Sequence, residues 1–139
     1  MYAVEVRDRI MIAHSLPDPF FGPAQNMHGA TFVVDVAFYR ETLTPQNVVV
    51  DIGAALDVLN KTLKPLAYKN LDEIAQFKGK LTTTEFLCRH VFDAVAKAAK
   101  DGALGEDGVT CFFHGAHATN HTPIGPSSEW RSAAFLGRH

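Results

Sequence analysis

Residues 2–14 alternate in polarity. Tyr2, Val4, Val6, Ile10, Ile12 and His14 share one parity, and Glu5, Arg7 and Arg9 share the other. A period of two predicts a half-buried strand. Asp8 interrupts the apolar parity and marks a place for a bulge or twist. Pro17, Pro19, Gly22 and Pro23 make residues 15–27 a loop. Residues 28–40 predict a second strand. His28, Ala30, Phe32, Val34, Val36 and Phe38 lie on one face, and Thr31, Asp35 and Tyr39 on the other. A turn over Thr42–Asn47 follows, with Pro45 inside it.

The period then changes to that of a helix. Asp51 is placed to cap a helix whose Ile52, Ala55, Leu56, Leu59 and Leu63 fall on one buried face. Lys61 and Lys64 suit its C-terminal dipole, and Pro65 stops it. Residues 65–81 connect with little periodicity. Thr82 and Glu85 have the spacing of a capping box. They open a second helix reaching about Lys100, with Phe86, Leu87, Val91, Phe92 and Val95 inward. Gly102 and Gly105 end it. Val109–Phe113 predicts a short strand, and Trp130–Leu136 a final strand or an ordered tail.

The order β-β-α-α-β-(β) predicts a two-layer α+β domain: an antiparallel sheet on two antiparallel helices. With one apolar face per element, closure of the sheet across subunits would remove exposed edges. At 139 residues, 47% hydrophobic and 20% charged, the chain is one globular domain. A net charge of −2 and no basic run argue against nucleic acid as a partner. No apolar run reaches the ~18 residues of a membrane span. The charged start, Glu5 to Asp8, predicts no signal peptide, and two cysteines make no disulfide framework. A cytoplasmic domain is expected.

The seven histidines are the informative excess. His14 ends the first strand and His28 opens the second, both on the apolar parity. A hairpin would bring the two imidazoles to one spot, as half of a zinc site or as two polar strand ends. His114, His117 and His121 form a second group after the third strand.

Four motifs, in order, resemble the 6-pyruvoyltetrahydropterin synthase / 6-carboxytetrahydropterin synthase family, which has the T-fold. Ile12-Ala13-His14-Ser15-Leu16 is similar to an apolar strand ending in Ala-His-x-Leu. His28-Gly29-Ala30-Thr31-Phe32 resembles His-Gly-His-x-Tyr/Phe. Val49-Val50-Asp51-Ile52 resembles the opening of helix one, and Thr83-Thr84-Glu85 the Pro-Thr-x-Glu that opens helix two. The resemblance implies a T-fold core over residues 1–113, with 114–139 a divergent segment holding a last strand and a His-rich loop.

It also implies one zinc per subunit, with His14 and His28 as ligands, and Thr83, Thr84 and Glu129 contacting a pterin or purine-like substrate. The expected function is a zinc-dependent lyase of pterin or deazapurine biosynthesis, queuosine biosynthesis included. The expected assembly is a homo-oligomer, a hexamer. The chain departs from the family pattern in three places. Ala30 stands at the third histidine ligand, Ala24 at the cysteine, and Ala67-Tyr68 at the Asp-His pair that tunes it. A methyl group neither takes a proton nor binds zinc. His114 or His117 is then the candidate third ligand, and Tyr68, His114 and His117 the candidate acid–base groups. The competing reading of the His run is an exposed loop that takes up metal adventitiously. The alternative function is a non-catalytic pterin- or purine-binding T-fold protein.

The remaining candidates have plainer readings. Cys88 is expected to be a buried structural thiol and Cys111 a strand residue. His90 is expected at an interface or in solvent, and Phe20-Phe21 at a pocket or contact.

Overall fold

The two period-two segments are paired strands. In the computed structural model, which describes residues 1–105 and the backbone of 110–119, β1 is Tyr2–His14 and β2 is His28–Arg40. They run antiparallel in unbroken register from Tyr2 opposite Arg40 to His14 opposite His28. β3, Thr110–Thr119, pairs antiparallel on the other side of β2, so the sheet order is β1-β2-β3. The helices are α1, Ile52–Leu63, and α2, Thr84–Lys100. They pack on the face carrying Val6, Ile10, Ile12, Phe32, Val34, Val36 and Phe38, which form one core with Leu59, Leu63, Val91 and Phe92. This is the expected α+β architecture. The last expected strand, 130–136, lies outside the described residues.

Several details differ from the sequence reading. Asp8 makes no bulge: it pairs with Val34 in register, and its carboxylate accepts the Arg9 backbone N–H at 2.7 Å. A half-exposed position on the sheet's core side tolerates one solvated carboxylate. The register shift falls instead between β2 and β3. Asp35 pairs with Gly115 and Val36 with Phe113, leaving residue 114 as the extra one. β3 is also longer than expected. It passes Phe113, where the core was expected to end, and continues through positions 114 and 117 to Thr119.

Asp51 caps α1 as expected, accepting the N–H groups of Gly53 and Ala54 at 2.7 and 3.2 Å. The buried face of α1 is rotated, however: Val58 is inside and Ile52 is 54% exposed. Ile52 sits in the first turn, before the helix reaches the sheet. On α2 the cap is Thr83, not Thr82. Its hydroxyl accepts the Phe86 N–H at 3.2 Å. Phe86 is only half buried, and Cys88 takes its place in the core. His90 is neither free in solvent nor on a bare surface. It packs edge-on to Phe77 with ring centroids 5.0 Å apart, and partial burial lowers its pKa.

On the face away from the helices, Arg7 stands opposite Asp35 and grips it with two hydrogen bonds, 2.6 and 2.9 Å. That pairing accounts for a buried carboxylate at Asp35. Among the described residues no helix is long and apolar enough to cross a membrane.

The core assignment makes a direct prediction. Leu59 is 0% exposed, so Leu59→Ala should cost about 2–5 kcal/mol in urea unfolding. Ile52→Ala should stay within about 1 kcal/mol. Equal costs would place the α1 face wrongly.

Candidate functional site

The hairpin register sets the site. His14 and His28 are cross-strand partners at the strand ends, on the parity of Ile12, Ala30 and Phe32. Their ring centroids are 4.6 Å apart, with the rings inclined by 63°. The Phe32 ring stands edge-on to His14 at 6.3 Å. The connection between the strands is held by its own contacts. It contains a 3₁₀ segment, Pro19–Gln25, which Asp18 caps through the Phe20 N–H at 2.9 Å. Leu16 N–H donates to the Ala24 carbonyl at 3.0 Å. Phe20 and Phe21 stack edge-on in this segment, with Phe20 exposed.

Two residues from distant segments fix the pair. Asp72 accepts the Ser15 backbone N–H at 3.0 Å and the Ser15 hydroxyl at 2.6 Å, pinning the chain just past His14. Thr82 Oγ1 lies 3.0 Å from His14 Nδ1, and both residues are buried, at 1% and 4% exposure. The sequence reading missed both. Thr82 was hidden by its resemblance to a helix cap. For Asp72 the local signal was the turn that Asn70 makes by accepting the Asp72 N–H.

The electrostatics favour a neutral His14 ring. Burial, then the neighbouring His28, pushes the His14 imidazole down from 6.5 to about 4; the Thr82 backbone and the Asp72 charge oppose this only in part. His28 Nδ1 is 2.8 Å from the Asn26 carbonyl, which can only accept. In the neutral ring the proton is therefore on Nδ1 and the Nε2 lone pair is bare. Two neutral imidazoles on one spot are suitable donors for a borderline-soft cation such as Zn²⁺. They are a half-site: among the described residues no three His, Cys, Asp or Glu side chains converge. Ala30, buried beside His28 on the same strand face, adds only a methyl.

The other candidates are placed as follows. Thr83 is the α2 cap and Thr84 its first helical residue, directly after Thr82. Ala24 lies in the 3₁₀ segment, with its carbonyl on Leu16. Tyr68 is 83% exposed; its backbone N–H donates to the Met11 carbonyl at 2.7 Å, while Lys69 and Asn70 follow the end of β1 at Ala13. His114 is the extra residue at the β3 shift, and His117 is paired with Val33, not with the even-numbered positions of the imidazole face. Cys111 pairs with Phe38. His121 and Glu129 lie outside the described residues. An open groove of about 1070 Å³ sits at the opposite end of the sheet, around Tyr2, Arg40, Asn47 and Ile52, and contains none of these groups.

Comparison with known proteins gives the family and the fold. Residues 3–114 match the sequence family described as 6-pyruvoyl tetrahydropterin synthase. The fold is similar to that of Caenorhabditis elegans 6-pyruvoyl tetrahydropterin synthase, with a TM-score of 0.66 and 16% identity over 98% of this chain and 95% of that one. It is also similar to an uncharacterized protein from Wolinella succinogenes, with a TM-score of 0.57 and 12% identity over 87% and 98%. No curated protein gives a significant sequence match.

The depressed His14 pKa makes stability pH-dependent. The unfolded chain takes the proton near pH 6.5 and the folded chain only near 4. This stabilising contribution is complete above about pH 6.5, declines as pH falls, and is gone once pH has passed through about 4. Denaturant unfolding in EDTA, at steps between pH 7 and 4, should show that decline in the wild type and a shallower one in His14→Gln. Matching slopes would contradict it.

Proposed function

Because the chain belongs to the 6-pyruvoyl tetrahydropterin synthase family, we propose that this T-fold protein is a zinc-dependent, pterin synthase-like lyase of pterin or deazapurine biosynthesis with a rebuilt catalytic site. One observation carries the reading. Within the matched span, His14 and His28 meet in register, their imidazole ring centroids 4.6 Å apart. His14 and His28 would hold the metal through Nε2, with water completing the set: the register puts position 117 opposite Val33 on the other sheet face and position 114 beside Asp35, seven residues of strand away from His28. The metal, when bound, supplies Lewis acidity that makes a carbon-bound proton of the substrate side chain easier to remove.

The chain's own residues divide the remaining work. Thr83 and Thr84, at the start of α2, and Glu129 would hold the pterin or purine-like ring. The α2 N-terminus adds backbone N–H donors that no helical carbonyl uses. Of the candidates to take the proton, Tyr68 is the one held beside the end of β1, through its backbone N–H on Met11; the register keeps positions 114 and 117 away from the imidazole pair. The second reading, a non-catalytic pterin or purine binder, is supported by Ala30. Ala30, buried and carrying only a methyl, stands where the family resemblance implies a third imidazole. In either reading the chain assembles as a homo-oligomer, a hexamer, in which neighbouring copies cover strand edges.

Metal content tests the first step. Elemental analysis should find about one zinc per chain in the wild type and loss of it in His28→Ala with the fold intact by circular dichroism. No zinc in the wild type would refute the metal reading. Sedimentation of the same sample should give a species several times 15.2 kDa; a monomer at micromolar concentration would refute the assembly.

Turnover separates enzyme from binder. General acid–base groups typically contribute 10²–10⁴-fold. Without the family's cysteine and its tuning pair, conversion of dihydroneopterin triphosphate with added zinc should be slow. Binding, followed by pterin fluorescence, should persist. Brisk turnover would show that other groups fully replace the missing ones, and loss of both would point to a different ligand.

A further inference from the structure

We propose that Thr82 is the positioning residue of the histidine pair: its hydroxyl holds the His14 ring and accepts the Nδ1 proton, so that Nε2 is presented bare beside that of His28. The consequence for metal rests on the zinc reading above; the effect on the ring does not.

A neutral imidazole has one proton and two nitrogens. If Nε2 binds a cation, the proton must be on Nδ1. At His14 that N–H is buried, and a buried donor without an acceptor is strongly disfavoured. Thr82 Oγ1, at 3.0 Å, is its hydrogen-bond partner. His28 meets the same demand differently, through the Asn26 carbonyl at 2.8 Å. A carbonyl can only accept, so His28 is fixed by the backbone. A hydroxyl can accept or donate, and it is the part of the Thr82 contact that one substitution removes, while the Thr82 backbone, which also acts on the His14 ring, remains. Outer partners of this kind orient ligating histidines and set which nitrogen is free.

The placement of Thr82 gives the contact a second consequence. Thr82 directly precedes the α2 cap, Thr83, so the start of the helix fixes where its hydroxyl lies. The same three residues, 82–84, thus join the imidazole pair to the proposed ring-binding end of α2. Capping alone explains Thr83 and its bond to the Phe86 N–H. It does not explain a fully buried hydroxyl on the residue before it, turned to an imidazole from 68 positions away in sequence.

The experiment uses the full chain as wild type, Thr82→Ser and Thr82→Val, with Thr82→Ala replacing Val if that variant does not fold. Zinc affinity is measured by chelator competition. The proton position on His14 is read by long-range ¹H–¹⁵N correlation on histidine-labelled protein, with and without zinc. Wild type and Thr82→Ser should carry the His14 proton on Nδ1 with zinc bound and have similar affinities. Thr82→Val should bind zinc about 10–100-fold more weakly and, without metal, show a changed division of the proton between the two nitrogens. The proposal is overturned if Thr82→Val keeps both the wild-type affinity and the wild-type proton position, or if zinc-loaded wild type has the proton on Nε2. If the wild type takes up no zinc, the metal reading fails, and the metal-free proton position alone decides: a change in Thr82→Val supports positioning, and no change overturns it.

Discussion

The unbroken pairing of β1 with β2 is the constraint on which the rest of the structure depends. Side chains alternate with a period of two, so a slip of one residue would turn the whole core face of a strand to solvent. The observed register keeps Val6, Ile10 and Ile12 beside Phe32, Val34 and Val36 over the helices. It also places His14 opposite His28 at one end. On the other face it places Arg7 opposite Asp35, where two hydrogen bonds close a planar fork on a carboxylate. A shift of one residue would lose the apolar contacts, separate the imidazoles and leave a buried carboxylate without its partner. Packing, polar pairing and site geometry thus favour the same register.

Much of this frame was legible in the sequence because it is local. Alternation in 2–14 and 28–40 located both strands and the shared face of His14 and His28. Helical spacing located α1 and α2, and Asp51 located the first cap. What escaped depends on contacts between distant segments. Thr82 looked like a cap because Glu85 stands three residues on; its actual partner is His14, across the domain. Asp72 lies in the aperiodic connection 65–81, where no local pattern singles it out, and holds the chain just beyond His14. Asp8 looked like a break in a strand, but a single solvated carboxylate does not disturb a ladder of backbone bonds. The length of β3 escaped because small and polar residues such as Gly115 and Ala116 carry little strand signal. Backbone pairing with β2 extends the strand through them.

The site itself shows how far sequence parity reaches. It brought two imidazoles together and put Ala30 on the same face; that a third donor is expected at Ala30 is implied by the family resemblance alone. It could not supply protonation states, which follow from burial and hydrogen-bond partners. His14 is neutral because its surroundings are dry and His28 is close. His28 has its proton on Nδ1 because a carbonyl faces that nitrogen. The first effect sets the charge on His14 and the second sets which nitrogen of a neutral His28 is bare, and both require the folded chain.

The linkage from β1 to α2 then has a mechanical meaning. β1 ends at His14, Asp72 holds the next residue, and Thr82 holds the ring. The segment 68–70 lies along the same strand end, through Tyr68 N–H on Met11 and the bridge from Asn70 to Ala13. The connection between the helices is therefore attached to β1 on both sides of its last residues before it reaches Thr82. A helix cap needs its first residues held at a fixed angle to the chain before it. Here that preceding chain is tied to the imidazole strand, so the start of α2 and the position of His14 are set together. The nitrogen that is free to bind and the backbone donors at the helix end thus belong to one junction, Thr82 holding the ring and Thr83 capping the helix.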